Sequence, residues 1–498
     1  MKLAEADYLT LSYCWGEISQ FWKLRRDNYD DFRRGIAISD LPKTMQHAIE
    51  LTRALNITYI WIDACCIIQD SGQDWQQESL KMAQVYGKSY LNIAASSSVN
   101  VQGGLFRNRD PTLPNGLAIK PNSVGTEVYI VTRDDDWFSK FLSEPLNLRA
   151  WALQERRLSP RTIHFTDSQI YWECSGLCAS EVLVDGKPWE YDPGYPDWSS
   201  IPRNITVVRD PNHGPSEERY ESWWSLVGEY SRGKLTVEED RLVAIAGLAK
   251  SFDTVANDEY FAGHWLCDMP HGLLWCTLKT KTSASAKYLA PSWSWASIPA
   301  GSAIGSLAHN KIQARAEILN CNIQYVADQF GPAHGGFMQI RGRMCMARLC
   351  VKQVESLRTR THHDTGGISL KFATACSVAK SIYLEIDYLA DFVDKTVFCM
   401  ELERRWEFVS KGVRSIEHRG LILEPTGHRK GEFRRIGVYC ESPFYSPRIK
   451  VIIQRVLRVS TSGWRDYLHM GMAFRRRDIP SQNFEALDEK NRYTIRIV

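Results

Sequence analysis

No apolar run in this sequence approaches the ~18–20 residues needed to cross a bilayer, so a helical membrane span is not expected. The opening residues, Met-Lys-Leu-Ala-Glu-Ala-Asp, lack the apolar stretch of a secretory signal. An excess of one charge is missing too: 61 Lys and Arg face 58 Asp and Glu, a formal net charge of +3 over 498 residues. A dedicated nucleic-acid binder would carry a basic surplus, and the short runs at Arg404-Arg405 and at 475–477 read as solvated faces. There is no G-x-x-x-x-G-K-[S/T] loop, which disfavours a P-loop NTPase, and no G-x-G-x-x-G after the early strands, which disfavours a hydride-transferring dinucleotide enzyme. Ser292 and Ser294 lie in no G-x-S-x-G elbow. Repeats and low-complexity segments are absent. Thirteen cysteines, an odd number at irregular spacing, read as reduced thiols rather than a disulfide framework, so a cytoplasmic protein is expected. Cys174-x3-Cys178 and His264-x2-Cys267-x3-His271 have tolerable ligand spacing but no second ligand pair, so no metal site is assigned.

What is present is the composition of an ordinary globular protein, 44% hydrophobic and 24% charged. The length exceeds one core and implies two or three domains. Seventeen tryptophans should anchor cores and flat binding surfaces.

Residues 8–16 (Tyr-Leu-Thr-Leu-Ser-Tyr-Cys-Trp-Gly) form a short β-type run broken at Gly16. That puts Ser12, Tyr13 and Trp15 at the strand's carboxyl end and in the loop beyond. A helix follows from about residue 42, with Asp40 as its cap and Pro42 in its first turn. Residues 57–63 (Ile-Thr-Tyr-Ile-Trp-Ile-Asp) are a near-continuous apolar run, the pattern of a strand covered on both faces. A helix over about 75–88 and a strand over 90–95 complete an open, mostly parallel α/β sheet with flanking helices. Ligands of such sheets sit outside the carboxyl ends of the strands, where Ser12, Tyr13, Asp63, Gln69 and Ser96 to Ser98 gather. Residues 103–147 form a connection with one strand, at 127–132, and short strands follow at 162–165 and 169–172.

The stretch 147–156, Asn-Leu-Arg-Ala-Trp-Ala-Leu-Gln-Glu-Arg, stands out. On a helix Trp151 and Glu155 share a face, with Arg149, Arg156 and Arg157 crowding the same turns. An acid, an aromatic plate and guanidinium groups suit a ligand with a ring and phosphates. They also suit a helix whose tryptophan packs inward and whose ion pairs lie on the surface. Beyond a Pro-, Trp- and Asp-rich linker, 223–230 and 241–250 read as helices, with Thr236 as a cap. Alternating runs from about 303 onward, such as 337–340 and 451–456, read as β-rich.

Three ordered blocks, Tyr8-Leu-Thr-Leu-Ser-Tyr-Cys-Trp-Gly16, Trp61-Ile-Asp-Ala-Cys-Cys-Ile-Ile-Gln-Asp70 and Arg149-Ala-Trp-Ala-Leu-Gln-Glu155, resemble the fungal heterokaryon-incompatibility (HET) domain over roughly residues 6–183. Two departures are visible: Ile68 stands where the family usually has Asn, and the chain begins almost at the first block. The resemblance implies a HET domain at 1–183, a linker at 184–217, a helical region packed on it at 218–300, and a β-rich C-terminal domain at 301–498. It also implies fungal non-self recognition and cell death. In outline the HET domain is similar to Toll/interleukin-receptor (TIR) domains, some of which hydrolyse NAD; Ser12-Tyr13 and Trp151…Glu155 match their layout.

That likeness implies a catalytic Glu155 beside a nicotinamide–ribose bond, with Trp151 or Trp15 against a ring, Arg149 on a phosphate, and Asp63 on ribose hydroxyls. NAD is then a substrate, and no cofactor is required. A second reading is a biosynthetic enzyme on the same scaffold, centred on Cys66 or on acid–base residues, although His47, His164 and His264 are all distant in sequence from that thiol. A third is a non-enzymatic module that self-associates into a homo-oligomer. The expected partners are a nucleotide or another small molecule, with no nucleic acid and no membrane.

Overall fold

The computed structural model describes residues 6–16, 23–109, 116–119, 129–132, 141–181, 184–188, 217–256, 258–277, 285, 287–306, 313–326, 328–351, 368–372, 382–386, 395–409, 413–441 and 479–498. The expected strand at 451–456 and the basic run at 475–477 lie outside them. The chain forms two units. The first comprises Met1–Gly214, Glu229–Thr236 and Val243–Asn257; the second comprises Pro215–Gly228, Val237–Leu242 and Asp258–Val498.

The first unit contains β1 (Tyr8–Ser12), α1 (Tyr29–Arg34), α2 (Lys43–Ala54), β2 (Tyr59–Trp61), α3 (Asp63–Cys66), α4 (Gly72–Gly87), β3 (Leu91–Ala94), β4 (Gly116–Ile119) and β5 (Tyr129–Thr132). It continues with α5 (Ala150–Leu158), β6 (Arg161–Phe165), β7 (Ile170–Cys174), β8 (Leu177–Ser180) and β9 (Lys187–Pro188). Two later helices follow: α6 (Glu217–Arg232), which passes from the second unit to the first, and α7 (Val243–Ala256) in the first.

Its sheet runs in the order β2-β1-β3-β6-β7-β8-β9. The first four strands are parallel, and β7 to β9 are added antiparallel. Because β2 lies on one side of β1 and β3 on the other, the winding reverses at β1, and such a reversal opens a crevice at the carboxyl ends of the strands. β1 alternates cleanly. Leu9, Leu11 and Tyr13 join Met45 and Ala48 of α2 in one buried cluster, while Thr10 and Ser12 point to the opposite face. There both hydroxyls donate to Asn92 Oδ1, at 3.0 and 3.1 Å.

Three local expectations are corrected. The apolar run at 57–63 is not a strand covered on both faces. It supplies β2, the sheet's edge, with Tyr59 exposed and Ile60 and Trp61 half-buried. Asp40 does not cap α2: it belongs to a separate 3-10 turn, and Pro42 occupies the capping position. Thr236 likewise caps no helix, since a 3-10 turn at Glu238–Arg241 precedes α7 and has Val237 at its start.

In the second unit come β10 (Tyr260–Phe261) and β11 (His264–Trp265), which pair, as do β12 (Trp275–Thr277) and β13 (Ile304–Ser306). Then follow β14 (Gln313–Ala314), β15 (Glu317–Tyr325), β16 (Ala333–Gly342), β17 (Met344–Val351), β18 (Ile368–Phe372), β19 (Ile382–Ile386), β20 (Lys395–Val409), β21 (Val413–Pro425), β22 (Glu432–Glu441), β23 (Ala486–Leu487) and β24 (Tyr493–Ile497). These eleven form one sheet, antiparallel except where β22 meets β24. Trp223, Trp265, Trp275, Trp293 and Trp295 are fully buried in this unit, so these indoles serve as core rather than surface. The structure is thus mixed α/β at the N-terminal end and β-rich toward the C-terminal end. No described helix is long and apolar enough to cross a membrane.

Candidate functional site

β1 ends at Ser12, and the turn beyond it carries Tyr13, Cys14 and Trp15. Gly16 closes that turn at φ +74°, where a Cβ would come within 2.3 Å of the Asn100 side chain, so glycine is required. Asp63 opens α3, where unpaired backbone N–H groups welcome an acid. The Ala64 N–H donates to its Oδ1 at 2.6 Å, and Trp15 Nε1–H donates to its Oδ2 at 3.0 Å. Arg149 immediately precedes α5 and donates from Nη1 to the Tyr13 carbonyl. Glu155 is buried on α5 at 6% exposure, facing Ser12 and the Tyr86 hydroxyl of α4.

Electrostatics join these pieces. Loss of water is the largest influence on Glu155 and raises its pKa. Arg149 opposes it, as do hydrogen bonding from Ser12 and from Tyr86, while the Asp63 charge adds to the rise. Asp63 is half-buried as a residue, yet desolvation of its carboxyl is again the leading cause and lifts its pKa, against Arg149, Tyr13, Ala64 and Trp15. Burial outweighs the counter-ion in both cases. Two carboxyls share one guanidinium, and Asp63 is among the causes that raise the Glu155 pKa. The Tyr13 hydroxyl, 2% exposed as a residue, interacts with Asp63 but makes no well-formed hydrogen bond.

A second buried polar group stands behind the first. Arg156 grips Glu173 of β7 through Nε and Nη2, each at 2.7 Å, and donates to Glu229 of α6 at 2.9 Å. Arg157 donates to the other oxygen of Glu229 at 2.6 Å. His164 Nε2 meets Glu173 at 2.9 Å, and Ser96 Oγ lies 3.2 Å from its Nδ1. The ion pairs of α5 are therefore buried, not spread on its surface as one reading of the sequence allowed. Seven of its nine residues are buried.

The remaining expected site residues divide. Gln69 braces the backbone, donating to the Asp63 and Ile67 carbonyls at 3.0 and 2.9 Å. Trp151 turns edge-on to Trp75 of α4, with ring centroids 6.5 Å apart. Trp15 also has Lys23 Nζ 5.1 Å from its ring centroid. Cys66 is exposed as a residue, but desolvation of its sulfur, then Asp63 and Glu78, push the thiol pKa up, against the pull of a backbone hydrogen bond at Ile62. That is the reverse of what a nucleophilic thiolate needs. His47 accepts from the Leu105 N–H, and His164 is committed to Glu173. The Ile68 backbone N–H is satisfied by Asp74 Oδ2 at 2.8 Å. Tyr86, Glu173 and Glu229 were not singled out from sequence. For Tyr86 a signal existed: Ser79, Met82 and Tyr86 make the buried stripe of α4 at helical spacing. Among the described residues no group of three or more His, Cys, Asp or Glu side chains is placed to hold a metal.

The first unit is thus a mixed α/β domain with desolvated acids near the carboxyl end of β1. Residues 8–155 match the model of the family described as Heterokaryon incompatibility protein (HET), so the chain carries a HET domain. No curated protein and no solved structure matches the chain.

Proposed function

We propose that this HET-domain protein acts in the cytoplasm as a hydrolase of the N-glycosidic bond of NAD, spending a nucleotide pool to bring about cell death. The observation that carries the reading is the grouping of Glu155, Asp63 and Arg149, drawn from separate blocks of sequence to the carboxyl end of β1. In the proposed reaction, NAD⁺ and water give nicotinamide, ADP-ribose and a proton. As the C–N bond breaks, its electron pair leaves with nicotinamide and the ribose becomes oxocarbenium-like. A carboxylate in a water-poor site stabilises that cation strongly, because little solvent screens it. Glu155 takes that role. Arg149 favours its ionised form, and the cationic nicotinamide riboside would share that task once bound. Asp63 is placed for the ribose hydroxyls, and Trp15, tied to it, for a ring. The order of strands around β1 and the Ser12-Tyr13 and Trp151…Glu155 layout support the likeness to NAD-hydrolysing TIR domains.

The test is release of nicotinamide from NAD by the purified full-length chain, followed by chromatography. Glu155→Gln should abolish release while leaving the circular dichroism spectrum unchanged. No release by the wild type, or unchanged release by the variant, would overturn the proposal. The raised pKa of the Cys66 thiol gives the thiol-based alternative no support.

A further inference from the structure

The residues that aim Arg149 and Glu155 come partly from a segment far beyond the matched stretch 8–155. Lys234 pairs with Arg149 as an isolated parallel bridge. The Lys234 N–H donates to the Leu148 carbonyl at 2.7 Å, and the Ala150 N–H donates to the Lys234 carbonyl at 3.0 Å. Ala150 is the first residue of α5, whose amides have no partner within the helix, and Lys234 satisfies one of them. Gly233 makes this approach possible, since a Cβ there would sit 2.6 Å from Ala150 Cα. One helical turn back, Glu229 spans the other end of α5, with one oxygen on Arg156 and one on Arg157. These two arginines follow Glu155 directly in the chain. A single eight-residue segment, Glu229–Thr236, therefore fixes the residue before α5 by backbone pairing and the residues after Glu155 by a shared carboxylate.

We propose that residues 229–236 are a positioning clasp for the Arg149–Glu155 pair, so that the working site of this protein is completed by a segment outside its HET-matched stretch. This rests on reading Arg149 and Glu155 as the working groups. The clasp touches no substrate. It sets the distance and angle between a cation before α5 and an acid within it, and loosening either hold moves one relative to the other. Displacements near 1 Å in such geometry cost on the order of 10²-fold in rate.

Full-length Gly233→Ala and Glu229→Gln test it, with the exposed Arg232→Ala as control. Glu229→Gln removes the charge at constant shape and keeps the test usable should Gly233→Ala fail to fold. Both variants should lose kcat by roughly 10-fold or more at little change in KM. The acid limb of the pH profile should move to higher pH, because a displaced Arg149 no longer opposes the rise in the Glu155 pKa. A lower melting temperature with wild-type kcat and pH profile in either folded variant would reduce the segment to a structural support and overturn the proposal. If the wild type releases no nicotinamide, the clasp is still read directly. The Glu155 side chain is titrated by carbon-13 NMR, its signal identified by loss in Glu155→Gln. Its midpoint should move up in the clasp variants, and an unmoved midpoint would overturn the inference independently of the reaction.

Discussion

Glu155 and Asp63 compete for Arg149, and both hold their protons more tightly than an ordinary carboxyl because burial dominates. Over the window between the unfolded and the raised folded pKa, the native chain binds more protons than the unfolded one. Stability therefore falls as pH rises through that window. Glu155→Gln removes the cost of ionising a buried group, so its melting temperature at neutral pH should equal or exceed the wild type's by a few degrees. The difference should close in acid, where the wild-type carboxyl is itself protonated. Calorimetry across that range decides it, and a variant several degrees less stable at neutral pH would contradict the argument. Removing Glu173 should instead cost stability. It is 0% exposed and answers both Arg156 and His164, so Glu173→Ala leaves a buried cation short of its partner and should cost roughly 3–5 kcal/mol in denaturant unfolding.

At the level of elements, α4, α5 and α7 form the layer that carries Tyr86 and Glu155. α7 meets α5 at Gly247, whose N–H donates to Gln154 Oε1 at 2.7 Å. A Cβ at Gly247 would lie 2.7 Å from both that oxygen and Ala83 Cβ. Gly247→Ala should thus destabilise the first unit by roughly 1–3 kcal/mol through overpacking, although alanine is the better helix former; a more stable variant in urea melts would show that the helices can part freely. The sequence displayed β1, α2, α4 and β3 through local patterns. The apolar stripe it offered for α2, however, included Leu55, which is exposed, while the buried face is Thr44, Met45, Ala48 and Thr52. Strand ends in the sequence gathered Ser12 and Asp63, whereas Arg149 and Glu155 were tied to them only by the family resemblance. The sequence did not display β2 as an edge, since an apolar run has the same letters whether one neighbour or two cover it. Nor did it reveal the partners of Arg156 and Arg157. A buried and an exposed ion pair are written with the same residues, and only tertiary contact with Glu173 and Glu229 tells them apart.

At the scale of the molecule, the first unit is discontinuous in sequence, taking Glu229–Thr236 and Val243–Asn257 from beyond the natural-looking boundary near residue 183. A fragment ending at residue 183 lacks Glu229, Gly233, Lys234 and the whole of α7. It should show no cooperative thermal transition and rapid proteolysis, whereas the full chain melts cooperatively; a sharp transition in the fragment would show that these later pieces are dispensable. The same discontinuity acts during synthesis. Ribosomes add ~5–20 residues per second and domains fold as units, so the stretch that carries Glu155 emerges several seconds before the segment that braces it. A nascent or prematurely terminated chain holds the acid, the arginine and the strands, but not the groups that align them. By this order the proposed activity would stay silent until most of the first unit has been made, with timing set by chain order itself.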